Sequence, residues 1–313
     1  MDLKPGIDHA GRMTFTGLYV PLVTPFTADG DLAANALEAL AHEVLDAGAA
    51  GLVALGTTGE PATLTAAEQV RVIDICASVC RERAAALIVG AGSNTTLDSA
   101  RALTALDPRA TAALAVVPYY LRPSEAGVVE HFRALAAASP VPLLIYHIPY
   151  RTAVPLSADT LLRLAELPNV AGFKYAAGGI DDTTIAFMSR VPGHTSVLAG
   201  DDLYAAPLLA LGASGAILAC ANVAPAAYAD LIAAWRRGEL ESGRELGNRL
   251  APLAAALFTE PNPVVVKAVL AAQGRIPAPA VRLPLLPASE GSLSAASAAI
   301  AAAQVTTGFV RAG

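Results

Sequence analysis

The chain has 313 residues, 54% of them hydrophobic and 15% charged, with a formal net charge of -6. This balance describes a core-rich globular chain rather than a disordered one, and negative charge without a basic run argues against a nucleic-acid partner. No apolar run reaches the roughly 18–20 residues of a membrane span without a Gly, Pro or charge breaking it, and the opening stretch, Met1 to Arg12, has no apolar signal core, so a cytoplasmic setting is expected.

The length fits one large α/β domain with an appendage, or two domains. Residues 1–14 read as a flexible tail that includes Lys4. Gly17–Thr24 reads as a first strand, and Asp31–Ala47 as a helix carried by Leu32, Leu37, Leu40, Val44 and Leu45. Gly51–Leu55 is a second strand running into Gly56-Thr57-Thr58-Gly59-Glu60, after which Thr65 and Glu68 have the spacing of a capping box opening a helix to Arg83. Cys76 and Cys80 fall i,i+4 on that helix. With Cys220 they make an odd number without zinc spacing, and Cys76 and Cys80 read as small hydrophobes packed in the core.

The alternation continues: strand Ala85–Gly90, helix Thr96–Leu106, strand Ala110–Val117 ending in Pro118-Tyr119-Tyr120, helix Ser124–Ala138. Strand Val141–Tyr146 ends in His147-Ile148-Pro149-Tyr150-Arg151-Thr152; helix Ser157–Glu166, strand Val170–Lys174 and helix Asp181–Arg190 follow. Ser196–Ala199 leads to Gly200-Asp201-Asp202, with the aspartates expected to cap a helix at Leu203, and Gly215–Leu218 is the eighth strand. From Pro225 the pattern is helical only, over 225–237, 239–258, 263–273 and 288–303.

Eight strand–helix units of about 25 residues each predict a closed (β/α)8 TIM barrel over residues 15–224, with a helical region over 225–313 packed on it or on a neighbouring subunit. A dinucleotide-binding open sheet is disfavoured, because the first strand is followed by Pro25-Phe26-Thr27 and the Gly90/Gly92 cluster lacks its third glycine.

Active-site residues of a barrel lie at the C-terminal ends of its strands. Those ends supply Thr57, Thr58, Tyr119, Tyr120, Tyr146, Arg151, Lys174, Asp201, Asp202 and Asn222, with no His/Asp/Glu cluster suited to a metal. Lysine is scarce: Lys4, Lys174 and Lys267 stand against eighteen arginines. Lys267 reads as a helical residue in polar company; only Lys174 is expected at a strand end inside a core. An amine held in apolar surroundings loses its proton more readily and can attack a ketone to form a Schiff base. Tyr146 would then relay protons, the hydroxyls and N–H groups of the 56–60 loop suit a carboxylate beside that ketone, and Arg151 suits a carboxylate on a second substrate. Each residue also has a plainer reading. Lys174 could snorkel at a strand end, Thr57 and Thr58 could cap a helix, the paired tyrosines could be rim packing, and His147 could simply fill space.

At these residues the sequence resembles the class I pyruvate-dependent aldolases of the dihydrodipicolinate synthase and N-acetylneuraminate lyase family. The matching stretches are Gly56 to Glu60, Pro118 to Pro123, Tyr146 with Pro149, Arg151 and Thr152, Gly172-Phe173-Lys174, Gly200 to Asp202, Ala221-Asn222-Val223 and Glu260-Pro261-Asn262-Pro263. The resemblance implies that Lys174 forms the Schiff base with pyruvate, without a cofactor, and that Tyr146 relays protons with Thr57 and with Tyr120 of a neighbouring subunit. It implies that Thr58, with Gly56 and the backbone near Ile217, receives pyruvate, that Arg151 faces an aldehyde substrate, and that the protein is a homotetramer built from tight dimers. Arg151 leans towards condensation with aspartate semialdehyde; a sugar acid or another aldehyde is the alternative. The chain departs from the synthase pattern at His147, usually Asn, at Tyr150, usually Ser, and at Tyr175, usually Glu, so His147 and Tyr150 are candidates for substrate specificity. Ala66 and Gln69 replace the histidines of a lysine-feedback site, so inhibition by lysine is expected to be weak.

Overall fold

The computed structural model describes residues 6–7 and 11–304; Lys4 and the last residues of the predicted C-terminal region lie outside them. Eight parallel strands close into a barrel. They are β1 Gly17–Pro21, β2 Gly51–Ala54, β3 Ala86–Gly90, β4 Ala112–Val116, β5 Leu143–His147, β6 Val170–Tyr175, β7 Ser196–Ala199 and β8 Gly215–Ile217. Each neighbours the next in sequence, and β8 returns to β1. Nearly every strand residue is buried, which accounts for apolar runs in place of alternation: a parallel strand has the barrel interior on one face and helices on the other.

The helices are α1 Ala34–Asp46, α2 Ala66–Glu82, α3 Thr96–Thr104, α4 Glu125–Ala138, α5 Ala158–Ala165, α6 Asp182–Met188, α7 Ala205–Ala210, α8 Pro225–Arg237, α9 Leu240–Leu257, α10 Val264–Ala272 and α11 Glu290–Ala303. The predicted capping box is present: the Thr65 hydroxyl accepts from Glu68 N, and Glu68 Oε2 accepts from Thr65 N. Thr95, Ser124, Ser157, Asp181 and Ser289 open five further helices in the same side-chain-to-N3 manner.

By its contacts the chain divides into two compact units. One comprises the chain to Gly17 together with Ala86–Ile217. Within it, β5 and β6 pair in the register Tyr146↔Lys174 and His147↔Tyr175. β6 lies against β7 so closely that a Cβ on Gly172 would sit 1.9 Å from the Ser196 carbonyl oxygen, which is why a glycine must stand two residues before the lysine. The tail expected to be unstructured up to Thr14 is corrected in part. Gly6–Ile7 and Met13–Thr14 form an antiparallel pair, and the Thr14 hydroxyl donates to the Gly6 carbonyl at 3.3 Å.

The second unit comprises Leu18–Ala85 and the chain from Leu218 on. The C-terminal helices group in this unit with α1, α2, β2 and most of β1. Arg275 ties this unit together: it pairs with Glu43 of α1 at 2.8 Å and donates to the carbonyls of Asn222 and Val223.

The three cysteines are buried outside any disulfide, Cys76 and Cys80 as expected of small core residues, and burial pushes both of those thiols up. No helix among the described residues is long and apolar enough to cross a membrane.

Candidate active site

The orientation of Lys174 follows from strand alternation. Its neighbours Phe173 and Tyr175 pack on Phe187 of α6, with ring centroids 5.3 and 5.6 Å apart. They therefore face the helices, and Lys174 between them faces the barrel interior. The same rule applies across the register: His147 packs on Tyr175 at 5.5 Å, so Tyr146 points inward beside the lysine. Lys174 is 4% exposed, and its Nζ lies 4.3 Å from the centroid of the Tyr146 ring. A π-face at that distance favours the ammonium form, as do Asp202 and Asp201, but burial outweighs them and brings the amine down to about 8. The amine is thus available near neutral pH.

Loops from three strands frame this lysine in the same unit. After β5, Pro149–Thr152 makes a single helical turn, started by the fixed φ of Pro149 and held by the buried Thr152 hydroxyl donating to the Ile148 carbonyl at 3.1 Å. It turns Tyr150 and Arg151 outward, both exposed, with the guanidinium 5.9 Å from the Tyr150 ring centroid. After β6, Gly178 N donates to Asp201 Oδ2 at 2.6 Å. After β7, Asp201 Oδ1 accepts from the Tyr150 hydroxyl at 3.5 Å. Asp201 was expected to cap the following helix; it makes no side-chain cap hydrogen bond and instead joins the β5 and β6 loops. Burial raises its carboxyl and also raises the Tyr150 phenol. Gly200 is tight for a different reason: a Cβ there would lie 2.8 Å from Lys174 Cγ.

His147, expected as a specificity candidate, is set apart from Lys174 and Tyr146 by strand alternation. It lies on the outer strand face, is buried, is held neutral with a pKa near 4 by that burial, and has an Nδ1 without a hydrogen-bond partner among the described residues. Tyr175 is its register partner and exchanges a hydrogen bond with Thr184 of α6 at 3.1 Å. Two departures from the family pattern, His147 and Tyr175, are thus one paired change in the strand–helix layer. Tyr150 is the departure that stands at the mouth.

The other unit carries the threonine loop. Thr57–Gly59 is a 3-10 turn after β2, with Thr57 half-buried and Thr58 buried. Gly56 needs no glycine for space, since a Cβ would stand 3.5 Å from Val53 Cγ1, an ordinary contact. Two clamps hold the turn. Asn262 Nδ2 donates to the Thr58 hydroxyl at 2.9 Å, and Lys267 Nζ donates to Glu60 Oε1 at 2.7 Å. Lys267 contradicts the expectation of polar company: it is fully buried in α10, 4.0 Å from the Phe26 ring centroid. Arg282 covers the same ring at 4.2 Å; it pairs with Glu68 and holds that carboxyl down at about 2. Asn222 is buried and accepts from Val23 N while donating to the Pro21 carbonyl, which makes it a tie between the β1 and β8 loops.

Tyr120 is not folded into its own chain's site: it is 86% exposed, with φ at +68, a left-handed conformation that costs a bulky residue about 1–2 kcal/mol. Ile217 is fully buried on β8. Among the described residues no group of three or more His, Cys, Asp or Glu could hold a metal ion.

Lys267, Asn262 and Gly200 were missed as functional neighbours. The signals existed: an ionisable residue within Val264-Val265-Val266-Lys267-Ala268-Val269-Leu270 must be paired if buried, and Asn262 stood in a quoted motif without a role.

Comparison with known proteins places the chain in a family. The model of the dihydrodipicolinate synthetase family matches residues 14–303. The 4-hydroxy-tetrahydrodipicolinate synthase of Neisseria gonorrhoeae is 40% identical over 288 residues, covering 91% of this chain and 98% of that protein. The enzyme of that name from Aromatoleum aromaticum is 41% identical over 278 residues, covering 88% and 94%. The crystal structure of a chloride-inhibited dihydrodipicolinate synthase from Acinetobacter baumannii, complexed with pyruvate, superposes with a TM-score of 0.89 at 37% identity, covering 94% of this chain and 100% of that one. With matching residues in order along nearly its whole length, the chain belongs to the dihydrodipicolinate synthetase family.

Proposed function

We propose that the protein is a Schiff-base lyase condensing pyruvate with aspartate semialdehyde to 4-hydroxy-tetrahydrodipicolinate, in the biosynthesis of diaminopimelate and lysine. The observation that carries this is Lys174, a buried amine brought down to about 8 and set 4.3 Å from the Tyr146 ring, in a chain about 40% identical to proteins named for that reaction. The Lys174 amine adds to the pyruvate ketone and water leaves, giving a protonated imine that serves as the electron sink. Loss of a methyl proton gives the enamine, whose carbon adds to the aldehyde, and the new alkoxide takes up a proton. Attack of the substrate's own amino group on the imine carbon closes the ring and returns the lysine. No cofactor beyond this covalent pyruvate is required.

In this reading Tyr146 relays the protons with Thr57, Thr58 receives the pyruvate carboxylate beside Gly56 and the backbone near Ile217, and Arg151 faces the second carboxylate. Tyr120 completes the relay of a neighbouring subunit; its exposure and its positive φ support a role outside its own chain. The assembly is a homotetramer of tight dimers in the cytoplasm. Buried cysteines outside any disulfide suit that reducing setting.

Tyr150 favours a second reading, in which the aldehyde is a sugar acid or another compound, because a bulky phenol stands where the synthases usually carry serine. A coupled assay separates the two. Turnover with aspartate semialdehyde supports the synthase; negligible turnover alongside cleavage of a sugar acid overturns it.

A further inference from the structure

Thr58 is 2% exposed, and its hydroxyl accepts from Asn262 Nδ2 at 2.9 Å. Accepting uses a lone pair and leaves the hydroxyl proton to be given elsewhere, and no acceptor among the described residues takes it. Asn262 is itself 9% exposed, with an Oδ1 that has no partner among the described residues. A buried amide used on one side only costs stability relative to an apolar residue of the same shape, so its presence calls for a reason other than packing. As placed, Nδ2 faces Thr58 and gives it one N–H, leaving Oδ1 and the other N–H unused among the described residues; the reverse placement would leave both N–H groups unused and send the Thr58 proton to Oδ1.

The amide is also held in position. Glu260 accepts from Ser289 N and Oγ at 2.9 and 2.8 Å. On the other side, Lys267 N donates to the Pro263 carbonyl while its Nζ pairs with Glu60, two residues beyond Thr58. Segments 57–60 and 262–267 are thus joined twice, once by an ion pair that fixes the backbone and once by a hydrogen bond that fixes a proton.

We infer that Asn262 is a positioning residue: by donating to Thr58 Oγ1 it makes that hydroxyl a one-way donor for the substrate carboxylate. This rests on the role of Thr58 proposed above. Asn262→Asp keeps the shape but reverses the polarity, so the new carboxylate takes the Thr58 proton and turns it from the substrate.

The test uses the full chain, with pyruvate and aldehyde kinetics for Asn262→Asp, Asn262→Ala, Thr58→Val and Asn262→Asp/Thr58→Val, each checked for native melting. Asn262→Asp raises the KM for pyruvate by roughly ten- to hundredfold, the scale of a hydrogen bond to a charged group, and leaves the KM for the aldehyde within about twofold. In the Thr58→Val background it adds less than about threefold, because the two residues act as one unit. An unchanged pyruvate KM overturns the inference. So does a full-sized effect in the Thr58→Val background, which would assign it to charge acting on pyruvate directly. Should the Asp variant not fold, Asn262→Ala decides: a rise of about threefold or more supports the role, and an unchanged KM removes it. Failure of the wild type to trap pyruvate on borohydride reduction would instead remove the Schiff-base reading on which this one stands.

Discussion

Replacing Lys267 with methionine strands a carboxylate in the core. The ammonium lies 2.7 Å from Glu60 Oε1, and the two side chains are 0% and 2% exposed. Methionine fills the stem of the lysine but supplies no donor, and removing one partner of a buried pair costs about 3–5 kcal/mol. Arg282 N still donates to Glu60 Oε2 at 3.2 Å, which puts the expected loss at the lower end, about 3 kcal/mol. At about 2–4 °C per kcal/mol for chains of this order of size, the melting temperature falls by roughly 6–12 °C. Lys267→Met/Glu60→Gln removes the stranded charge and recovers more than half of that loss, since a buried pair contributes little beyond its own desolvation. Urea and thermal unfolding of wild type, the single variant and the double variant at neutral pH make the measurement. A single variant within about 1 kcal/mol of wild type, or a double variant no more stable than the single, would refute the reasoning.

Other outcomes follow from the same geometry. Gly200→Ala puts a methyl group 2.8 Å from Lys174 Cγ; displacement of the amine lowers kcat by about a hundredfold while the chain stays folded, and unchanged kinetics would show that the lysine is not held there. Burial brings Lys174 from its ordinary 10.5 down to about 8, so the reactive free amine increases as pH rises. The rate of pyruvate trapping therefore climbs about tenfold per unit below that value and levels off above it; a profile still climbing at pH 10 would contradict the shift. Tyr150→Ser, which removes the hydroxyl partner of Asp201, changes the KM of the aldehyde on the order of tenfold and leaves that of pyruvate alone; no change in either would take Tyr150 out of the second-substrate site.

What could be read from the sequence was local. The capping box at Thr65 and Glu68, the eight strands and the lysine at the end of β6 are set by patterns spanning a few residues, and each appears where expected. What escaped was long-range. Lys267 meets Glu60 across 207 positions and Asn262 meets Thr58 across 204, so no local pattern links them, and an ammonium in an apolar helix reads as an oddity until its carboxylate is found. Asp201 was read as a cap because aspartates before helices usually are, but a loop N–H from Gly178 competes for it and wins. His147 and Tyr175 read as two separate departures from the family pattern; strand register makes them one pair on the outer face. Tyr120 marks the opposite limit, since its motif was legible while the side chain stands 86% exposed on its own chain.

The central claim is that Lys174 is the nucleophile. Incubating the protein with pyruvate, reducing with borohydride and weighing the intact chain tests it most directly. The account predicts one covalent pyruvate adduct that maps to Lys174 and is absent from Lys174→Ala; an unmodified wild type, or an adduct that persists in Lys174→Ala, would contradict it.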